Sequence, residues 1–334
     1  MKAIVFDLPG SPEVLKLIDI PAPTIQHDRE ILVRLRAAGV NPIDIKLRQR
    51  GALKQPENTP HILGCDGAGV VEAIGTKVQK FQVGDEVYFC NGGVGGLTGN
   101  YAELTVIDER FAAKKPTSIS FSEAAAAPLV LITAWESLCD RARLQAGQKV
   151  LILAGAGGVG HVAIQLAKLK GADVCTTISS EEKANFVREL GADLPIFYKN
   201  TDVVDAVLGW TKGKGVDIAF DTVGGETFYQ TFSSVRIYGD VVTILEPDST
   251  LGNLKTARLR NLRISLELML TPMLHGLVDE QIQQAKILEE CAHSIDSGLL
   301  KIKVSNKFPL EEAAAAHKLL ESGSITGKIV LVNC

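Results

Sequence analysis

Residues 149–160 join a short apolar segment to a run of regularly spaced glycines. Lys149 precedes five apolar residues, and residues 155–160 read Gly-Ala-Gly-Gly-Val-Gly. Because residues 162–169 then show helical spacing, the sequence predicts a strand, a tight turn and a helix. Gly155 would permit the turn, Gly157 the close approach of a diphosphate, and Gly160 close packing of the helix on the strand. We interpret the segment as a dinucleotide-binding turn; the alternative is an ordinary glycine-rich turn.

The expected contacts to the dinucleotide come from the backbone of this turn. Amide groups at the start of a helix have no intrahelical acceptor and favour an anion. The predicted contact residues are Ala156, Gly157, Gly158, Val159 and Gly160.

The segment after the second predicted strand bears on which dinucleotide is bound. Residues 172–178 form that strand, and an NAD site usually has an acidic residue at its end to hold the ribose 2′-hydroxyl. This chain has Ser179 and Ser180 there, with Lys183 one helical turn later. Two hydroxyls and an ammonium suit a 2′-phosphate, which favours NADPH. Two alternatives stay open: a serine can simply cap the next helix, or a following glutamate can bind the ribose if the strand ends later.

Length and composition exclude several classes of partner. The chain has 334 residues and a net charge of −4 at pH 7, and such a length suggests about two domains. Basic residues are dispersed, so no nucleic-acid partner is expected. The most apolar segment, 124–134, is short and contains Pro128, so we expect neither a membrane span nor a leader before the first strand. We therefore expect a soluble, cytoplasmic protein.

The cysteines show no pattern of a disulfide scaffold or a zinc lobe. They lie at positions 65, 90, 139, 175, 291 and 334, without a Cys-x-x-Cys pair. A zinc lobe needs its ligands close together in short loops, and disulfides are unusual in a chain of this size and composition. We expect small buried side chains, most clearly Cys175 in the second strand.

The order of predicted elements indicates two kinds of domain. The first 125 residues are rich in short strands and glycine turns, which is typical of a compact β-barrel. Ser122 can cap an alanine-rich helix, and from Lys149 onward strands alternate with helices. The strands predicted in this second part are residues 149–154, 172–178, 194–198, 216–222 and 240–245. The fold class is therefore α/β with a doubly wound parallel sheet, and residues 329–332 form a late strand that the β-rich domain can recruit.

Eight segments in order resemble one known family. They are residues 37–44 (AAGVNPID), 63–71 (LGCDGAGVV), 83–87 (VGDEV), 99–103 (GNYAE), 131–135 (LITAW), 154–160 (AGAGGVG), 221–225 (DTVGG) and 327–331 (GKIVL). The chain resembles the medium-chain dehydrogenase/reductase superfamily, and within it the zinc-independent NADPH:quinone oxidoreductase branch that includes the ζ-crystallins. The resemblance implies a Rossmann domain that binds NADPH at 126–295, and a β-rich GroES-like barrel domain with catalytic residues at 1–125 and 296–334.

The resemblance also bears on metal binding. In the alcohol dehydrogenases of this superfamily, a cysteine and a histidine anchor a catalytic zinc where this chain has Asn41 and Cys65. Asparagine is a poor zinc ligand, and a catalytic zinc usually has three protein ligands. Cys65 with Asp66 leaves that set incomplete, and His61 is more simply a surface or core histidine. We therefore expect no bound zinc.

Without a metal to polarise a carbonyl, the favoured chemistry is hydride addition to an electron-poor acceptor. The resemblance places the Asn41 carboxamide near the nicotinamide, where it can donate to a developing oxyanion. Asp44 is expected to orient this loop or to accept a hydrogen bond from the cofactor. The alternative for Asn41-Pro42 is a plain turn. Thr133 resembles a family residue near the nicotinamide amide; otherwise it caps a helix.

Further cofactor contacts follow from the resemblance. Tyr198 matches a tyrosine that lines the 2′-phosphate pocket, although a tyrosine at a strand end often only packs. Asp221, Val223 and Leu245 lie at the expected carboxyl ends of the fourth and fifth strands, where open α/β sheets bind ligands. Lys328 either pairs with a cofactor phosphate or is a solvated lysine.

One segment departs from the family pattern. Many quinone reductases of this branch have tyrosines where this chain has Lys46 and Leu53. Enoyl thioester reductases of the superfamily are thought to use a tyrosine of this domain as proton donor, so its absence weakens that interpretation. Tyr88 and Tyr101 are possible substitutes; otherwise the proton comes from solvent or a pocket water.

Together these features predict a zinc-free, NADPH-dependent oxidoreductase that transfers hydride to quinones. The alternatives are reduction of α,β-unsaturated carbonyls, such as alkenals, enones or enoyl thioesters, and a non-catalytic, crystallin-like protein that binds NADPH. Since the family usually dimerises through an edge strand, we expect a homodimer in which residues 240–245 or 263–269 extend a sheet.

Overall fold

The computed structural model describes residues 1–51, 61–94 and 96–333. Its contacts divide the chain into one unit of Met1–Leu129 with Leu270–Cys334 and a second unit of Val130–Met269. The strands are β1 (Lys2–Phe6), β2 (Lys16–Asp19), β3 (Glu30–Val40), β4 (His61–Ile62), β5 (Asp66–Ile74), β6 (Glu86–Cys90), β7 (Leu104–Asp108), β8 (Ala112–Lys114), β9 (Lys149–Ile152), β10 (Asp173–Ile178), β11 (Leu194–Phe197), β12 (Val216–Asp221), β13 (Val235–Thr243), β14 (Arg263–Leu266), β15 (Val304–Pro309) and β16 (Lys328–Val332). The α-helices are α1 (Pro42–Arg50), α2 (Phe121–Ala126), α3 (Pro128–Trp135), α4 (Gly158–Leu169), α5 (Glu181–Glu189), α6 (Val203–Trp210), α7 (Gly225–Thr231), α8 (Lys255–Leu259), α9 (Thr271–His275), α10 (Val278–Asp296) and α11 (Ala313–Glu321).

The unit Val130–Met269 contains a six-stranded parallel sheet in the order β11-β10-β9-β12-β13-β14. This is the strand order of the Rossmann fold, so the predicted α/β class with a doubly wound parallel sheet is confirmed. Its strands are apolar on both faces, since the consecutive residues Val150 and Leu151 of β9 and Ala219 and Phe220 of β12 are all fully buried. Such strands require helices on both sides of the sheet. The order reverses between β9 and β12, and ligands of open α/β sheets bind at the carboxyl ends of strands at this point.

The strands predicted for this sheet are present with shifted ends. β9 ends at Ile152 rather than at residue 154, and Ala154 has a left-handed φ of 51° that is incompatible with a strand. β13 begins at Val235 rather than at residue 240. The sixth strand, β14, lies beside β13. It falls within residues 263–269, one of the two segments expected to pair with a second copy.

The other unit is β-rich, as predicted. Its seven-stranded sheet has the order β15-β16-β3-β5-β6-β8, with β7 paired to β3, and a second sheet has the order β2-β1-β4. The side chains of Val33, Leu35, Val87 and Phe89 are buried in one apolar cluster of this unit. β16 pairs antiparallel with β3, so the late strand of the chain does join the β-rich part.

The compact units differ from the predicted domain bounds at the second boundary, which lies at residues 269–270 rather than at 295–296. The reason is α10, which bonds to the β-rich unit. Tyr88 Oη donates to Leu288 O at 2.5 Å, and Ser118 N donates to Asp296 Oδ1 at 2.9 Å.

The alanine-rich helix α2 begins earlier than expected. Ser120, not Ser122, is its N-cap residue, and Ser120 forms a capping box with Glu123. Ser122 is buried within the first turn. Ser120 and Glu123 have the Ser-x-x-Glu spacing that is typical of a capping box.

Two expected absences concern membrane spans and disulfides. Among the residues with described positions, none of the helices has both the length and the apolar character needed to cross a membrane. The described cysteines, Cys65, Cys90, Cys139, Cys175 and Cys291, form no disulfide with one another.

Candidate functional site

The glycine-rich turn after β9 leaves space beside its second glycine. Gly157 is the N-cap residue of α4, which begins at Gly158. Beyond its chain neighbours and its own helix, a Cβ on Gly157 would meet one described atom within 4 Å, the Ala154 carbonyl oxygen at 3.2 Å. The backbone at Gly157 is therefore open to a close approach, next to the first-turn amides of α4. This is the geometry that a bound diphosphate requires.

The other two glycines of the motif are needed for packing. A Cβ on Gly160 would lie 2.3 Å from Ala154 O, and a Cβ on Gly155 would lie 2.0 Å from Thr176 Oγ1. The packing role expected of Gly160 fits this geometry. The role expected of Gly155 needs correction, because the left-handed residue of the turn is Ala154. Gly155 is required by the close approach of β10 instead.

The three residues predicted to bind a 2′-phosphate lie together at the start of α5. β10 ends at Ile178, and Ser180 caps α5 by accepting a 3.3 Å hydrogen bond from Lys183 N. The capping alternative therefore holds for Ser180, while Ser179 and the Lys183 side chain remain partly exposed. Glu181 lies beyond the strand and pairs with Arg188 of its own helix at 3.0 Å. The alternative in which this glutamate binds the ribose of NAD is therefore weakened.

A cavity of about 650 Å³ lies in the same unit, lined by Ala154, Thr177, Tyr198, Val223 and Ser234 among others. Tyr198 follows β11 and is 52% exposed. Ser234 is fully buried, and within the described chain its hydroxyl has no hydrogen-bond partner. The volume is in the range of small-molecule sites, and the lining combines apolar walls with polar groups.

The turn after β12 is shaped by Asp221. Its Oδ1 accepts from Val223 N and Gly224 N, both at 2.9 Å, and its Oδ2 accepts from Thr243 Oγ1 at 2.8 Å. The buried carboxylate is therefore engaged within the protein, and Asp221 holds the turn. The groups that this edge presents are Val223 and Leu245, which are at least partly exposed.

The predicted catalytic pair Asn41 and Asp44 lies in the β-rich unit, at the edge of its larger sheet that is formed by the ends of central strands. The adjacent strands β16, β3 and β5 bring Lys328, Asn41 and Asp66 to this edge. Asn41 is the N-cap residue of α1, and its backbone nitrogen donates to Asp44 Oδ2 at 2.8 Å. The Asn-Pro pair thus begins a helix rather than a plain turn.

The Asn41 carboxamide bridges a buried ion pair. Its Nδ2 donates to Asp66 Oδ2 at 2.9 Å, its Oδ1 accepts from Lys328 Nζ, and Nζ lies 3.8 Å from Asp66 Oδ2. Asn41 and Asp66 have no exposed surface, and Lys328 is 5% exposed. The expectation of a solvated Lys328 is therefore wrong. Its pairing with a cofactor phosphate is disfavoured, because the ammonium already donates to Asn41 and to Val40 O at 3.1 Å.

Asp44 connects the start of α1 to two other segments. Its Oδ1 accepts from Gly64 N and its Oδ2 from Tyr101 Oη, both at 3.1 Å. Burial, together with the nearby Asp66 carboxylate, raises the pKa of Asp44 to about 7, against the lowering effect of the hydrogen bonds from Asn41 N and Tyr101 Oη and of Lys328. Burial also raises the pKa of Asp66 and lowers that of Lys328, while each opposes the shift of the other. The contacts of Asp44 are those of a residue that orients its loop.

His317 extends this cluster and was missed by sequence reasoning. Its Nε2 lies 3.2 Å from Tyr101 Oη, and burial, with a smaller effect from Arg48, lowers the pKa of His317 to about 3. A single histidine in an alanine-rich helix has no motif that would predict this contact. Tyr88 and Tyr101, considered as proton donors, are both fully buried, and their hydroxyls donate to Leu288 O and Asp44 Oδ2.

The residues at the zinc position of alcohol dehydrogenases do not fit a zinc ion. Both heteroatoms of the Asn41 side chain are engaged, and the Lys328 ammonium would repel a cation. Burial raises the pKa of the Cys65 thiol, which disfavours the thiolate that zinc binds. Over the described ranges, the structure contains no group of three or more His, Cys, Asp or Glu side chains placed to hold a metal. His61 is partly buried and its ring lies 5.0 Å from that of Phe6.

Two remaining sequence predictions concern Thr133 and the positions Lys46 and Leu53, where many quinone reductases have tyrosines. Thr133 lies inside α3 and is 4% exposed, so the helix-cap alternative is wrong. Lys46 is exposed on α1. Leu53 lies outside the described residues.

Two family models match this chain. Residues 27–117 match the alcohol dehydrogenase GroES-like domain, and residues 190–331 match the zinc-binding dehydrogenase family. Among curated relatives, a quinone oxidoreductase of Pseudomonas aeruginosa is 35% identical, and the alignment covers 99% of each chain.

Solved structures agree in fold over the full length. A protein of the alcohol dehydrogenase superfamily from Novosphingobium aromaticivorans is 35% identical with a TM-score of 0.91, covering 99% of each chain. The Escherichia coli quinone oxidoreductase complexed with NADPH is 29% identical with a TM-score of 0.86, covering 99% of this chain and 100% of that one. A 2-haloacrylate reductase is 27% identical with a TM-score of 0.82, covering 99% of each chain.

Proposed function

This chain belongs to the medium-chain dehydrogenase/reductase superfamily, and we propose that it is an NADPH-dependent oxidoreductase that transfers hydride to quinones without a catalytic zinc. The observation that carries the cofactor part is the open backbone at Gly157 beside the start of α4. The similarity to quinone oxidoreductases of Pseudomonas aeruginosa and Escherichia coli supports the acceptor class.

The proposed cofactor contacts all lie in the Rossmann unit. The backbone of residues 156–160 would hold the diphosphate, since helix-start amides favour an anion. Ser179, Lys183 and Tyr198 would bind the 2′-phosphate, and the cavity lined by Tyr198 and Val223 would receive the adenosine. Leu245 and the turn held by Asp221 would border the ribose and nicotinamide. When bound, NADPH supplies the hydride.

The preference for NADPH rests on charge and geometry at the start of α5. β10 ends at Ile178, so the position of a ribose-binding carboxylate is taken by Ser179 rather than by Glu181. The partly exposed Lys183 lies within one turn of it. A doubly charged phosphate gains charge-assisted hydrogen bonds from such a group, whereas a ribose hydroxyl gains little.

The preference for electron-poor acceptors rests on the β-rich unit. The residues at the metal position hold a lysine–aspartate pair bridged by Asn41, so we propose no Lewis acid. Acceptors that need none, such as quinones, remain feasible. Asp44 would hold the start of α1, and the proton would come from solvent. Both heteroatoms of the Asn41 carboxamide are engaged in this network, so Asn41 would serve the reaction by fixing the start of α1 rather than by contacting the acceptor.

A second candidate acceptor is an activated alkene. It is favoured by the similarity to a 2-haloacrylate reductase. Quinones and α,β-unsaturated carbonyls accept hydride at an electron-poor carbon, so the same cofactor site serves both.

Steady-state kinetics tests the proposal. We expect NADPH-dependent reduction of a naphthoquinone or phenanthrenequinone with a higher kcat/KM than for an alkenal or enone. A far higher kcat/KM for the enone would make the second candidate correct. Tight NADPH binding without turnover of any acceptor would instead favour the non-catalytic, crystallin-like alternative.

We also propose a homodimer formed through the edge strand β14. Leu266 on β14 and Leu268 just after it are 62% and 52% exposed, and Tyr238 on the neighbouring β13 is 70% exposed. An apolar edge strand is a ready site for pairing with a second copy. The cytoplasmic location expected from the sequence stays a prediction.

A further inference from the structure

We propose that Lys328 is a positioning residue, which orients the Asn41 carboxamide and the helix start that carries it, and that it is not a phosphate ligand. The proposal rests on the proposed function insofar as the Asn41–Asp44 segment serves hydride transfer.

The first argument is the direction of the ammonium hydrogens. An ammonium has three donors and no acceptor. Lys328 Nζ donates to Asn41 Oδ1 and to Val40 O, and Asp66 Oδ2 lies at 3.8 Å. These three oxygens lie at the ends of the neighbouring strands β3 and β5 and face the first residue of β16. The lysine side chain is 5% exposed, so a cofactor phosphate could reach it only if these contacts broke.

The second argument is the orientation of the amide. Asn41 Oδ1 receives the ammonium, and Asn41 Nδ2 donates to Asp66 at 2.9 Å. A cation on one side and an anion on the other leave a single favourable orientation for the carboxamide. Without the ammonium, the bond to Asp66 alone would act as a pivot. The amide could then rotate about that bond.

The third argument is charge balance. Asp44 and Asp66 are buried in this cluster with Lys328, and each carboxylate interacts electrostatically with that ammonium. A buried charge that loses its partner is strongly unfavourable. Lys328 neutralises these carboxylates, unlike a surface lysine that binds phosphate. Its removal should therefore change the orientation of Asn41 more than it changes the affinity for NADPH.

The test compares Lys328→Met with the matched control Lys307→Met, which removes an exposed lysine on the neighbouring strand β15. NADPH affinity is measured by fluorescence titration, and the Asn41 side-chain amide is followed by its proton–nitrogen NMR signals, assigned from Asn41→Ala. For Lys328→Met we expect a dissociation constant within about threefold of the parent, together with displaced or broadened Asn41 amide signals. The control should leave both unchanged.

Kinetics adds a readout that a merely structural lysine would not move. Lys328→Met should lower kcat about tenfold or more with little change in the KM for NADPH. In that background, Asn41→Ala should cause little further loss, because two residues that act through one carboxamide are not additive. In the Lys307→Met background, Asn41→Ala should cause its full loss.

Two results would overturn the proposal. One is a tenfold or greater weakening of NADPH binding with unchanged Asn41 amide signals, which would make Lys328 a phosphate ligand. The other is full additivity of Lys328→Met and Asn41→Ala in kcat. If Lys328→Met fails to fold, the double variant Asp66→Asn with Lys328→Met removes both charges, and its NADPH affinity decides: a dissociation constant within about threefold of the parent supports the proposal, and a tenfold or greater weakening overturns it. If the parent reduces no acceptor, the proposed function fails, whereas the affinity and the NMR signals still decide the role of Lys328.

Discussion

The hydroxyl of Tyr101 donates a 3.1 Å hydrogen bond to Asp44 Oδ2, although 57 positions separate the two residues. Both side chains are fully buried. Burial raises the pKa of Asp44 to about 7. Its carboxyl therefore gains or loses a proton near neutral pH. The helix start at Asn41 is therefore linked to pH through Asp44.

The first prediction is the pH dependence of stability. Asp44 has a folded pKa of about 7 against an ordinary value of 3.8. The stability that its protonated form contributes is fully present below about pH 4 and is lost as the pH rises through about 7. The free energy of unfolding of the parent should therefore fall, relative to Asp44→Asn, by up to about 4 kcal/mol over this range. Urea titrations across the range measure the difference.

The matched control for this prediction is Asp19→Asn, which changes an exposed carboxyl on β2. His317, whose pKa is lowered to about 3, contributes stability above its ordinary value and loses it towards acid. That contribution is common to parent and variant and cancels in the difference. Parallel stability curves for the parent and Asp44→Asn would mean that Asp44 is ionised throughout.

The second prediction separates the two roles of glycine in the turn. Gly157→Ala adds a Cβ that meets, among the described atoms, only Ala154 O within 4 Å, so the protein should stay folded while NADPH binding weakens strongly. Gly155→Ala adds a Cβ 2.0 Å from Thr176 Oγ1 and should lower stability by about 1–3 kcal/mol. Thermal unfolding and fluorescence titration of both variants check this split. Unaltered NADPH affinity in Gly157→Ala would remove the diphosphate from this turn.

The third prediction concerns Lys183. Lys183→Glu replaces an attraction to the 2′-phosphate by a repulsion, so NADPH should bind roughly ten- to a thousandfold more weakly, with NADH spared. Lys214→Glu is the control, because this exposed lysine precedes β12 at the amino end of the sheet. Calorimetry with both coenzymes measures the effect. Equal losses for NADPH and NADH would place the 2′-phosphate elsewhere.

The fourth prediction tests whether Asn41 serves the reaction. Asn41→Ala should lower kcat more than it weakens NADPH binding. It also leaves Asp66 and Lys328 without their bridge, so stability should fall by about 2 kcal/mol. Asn306→Ala, an exposed change on β15, is the control. Reduced stability with the kcat of the parent would make Asn41 purely structural.

The strand–turn–helix unit around the glycine-rich turn could be predicted from the sequence because all of its parts are contiguous. A strand, a turn with four glycines and a helix follow one another within residues 149–169, and this contiguous order predicts the unit. The ends of elements were less accessible. Ala154 takes the left-handed conformation that a glycine would be expected to take, and nothing in its sequence neighbourhood indicates this.

The polar cluster of the β-rich unit could not be predicted in the same way. Asn41 and Lys328 are 287 positions apart, and they meet only because β16 pairs with β3. The resemblance pointed to Asn41 and Lys328 separately, as an oxyanion donor and as a phosphate contact. Their mutual contact depends on strand order, which local spacing does not determine. His317 was missed for the same reason.

The fifth prediction concerns the homodimer. In the chain as described, Leu266 on the edge strand β14 is 62% exposed. If a second copy pairs with this edge, Leu266→Lys places a charge in the interface. The dissociation constant of the dimer should then rise by one or more orders of magnitude. Leu8→Lys is the control, because Leu8 is 74% exposed in the other unit. Sedimentation at micromolar concentration should show a dimeric parent, a dimeric control and a largely monomeric Leu266→Lys. A monomeric parent would make the dimer prediction wrong, and a dimeric Leu266→Lys would place the interface away from β14.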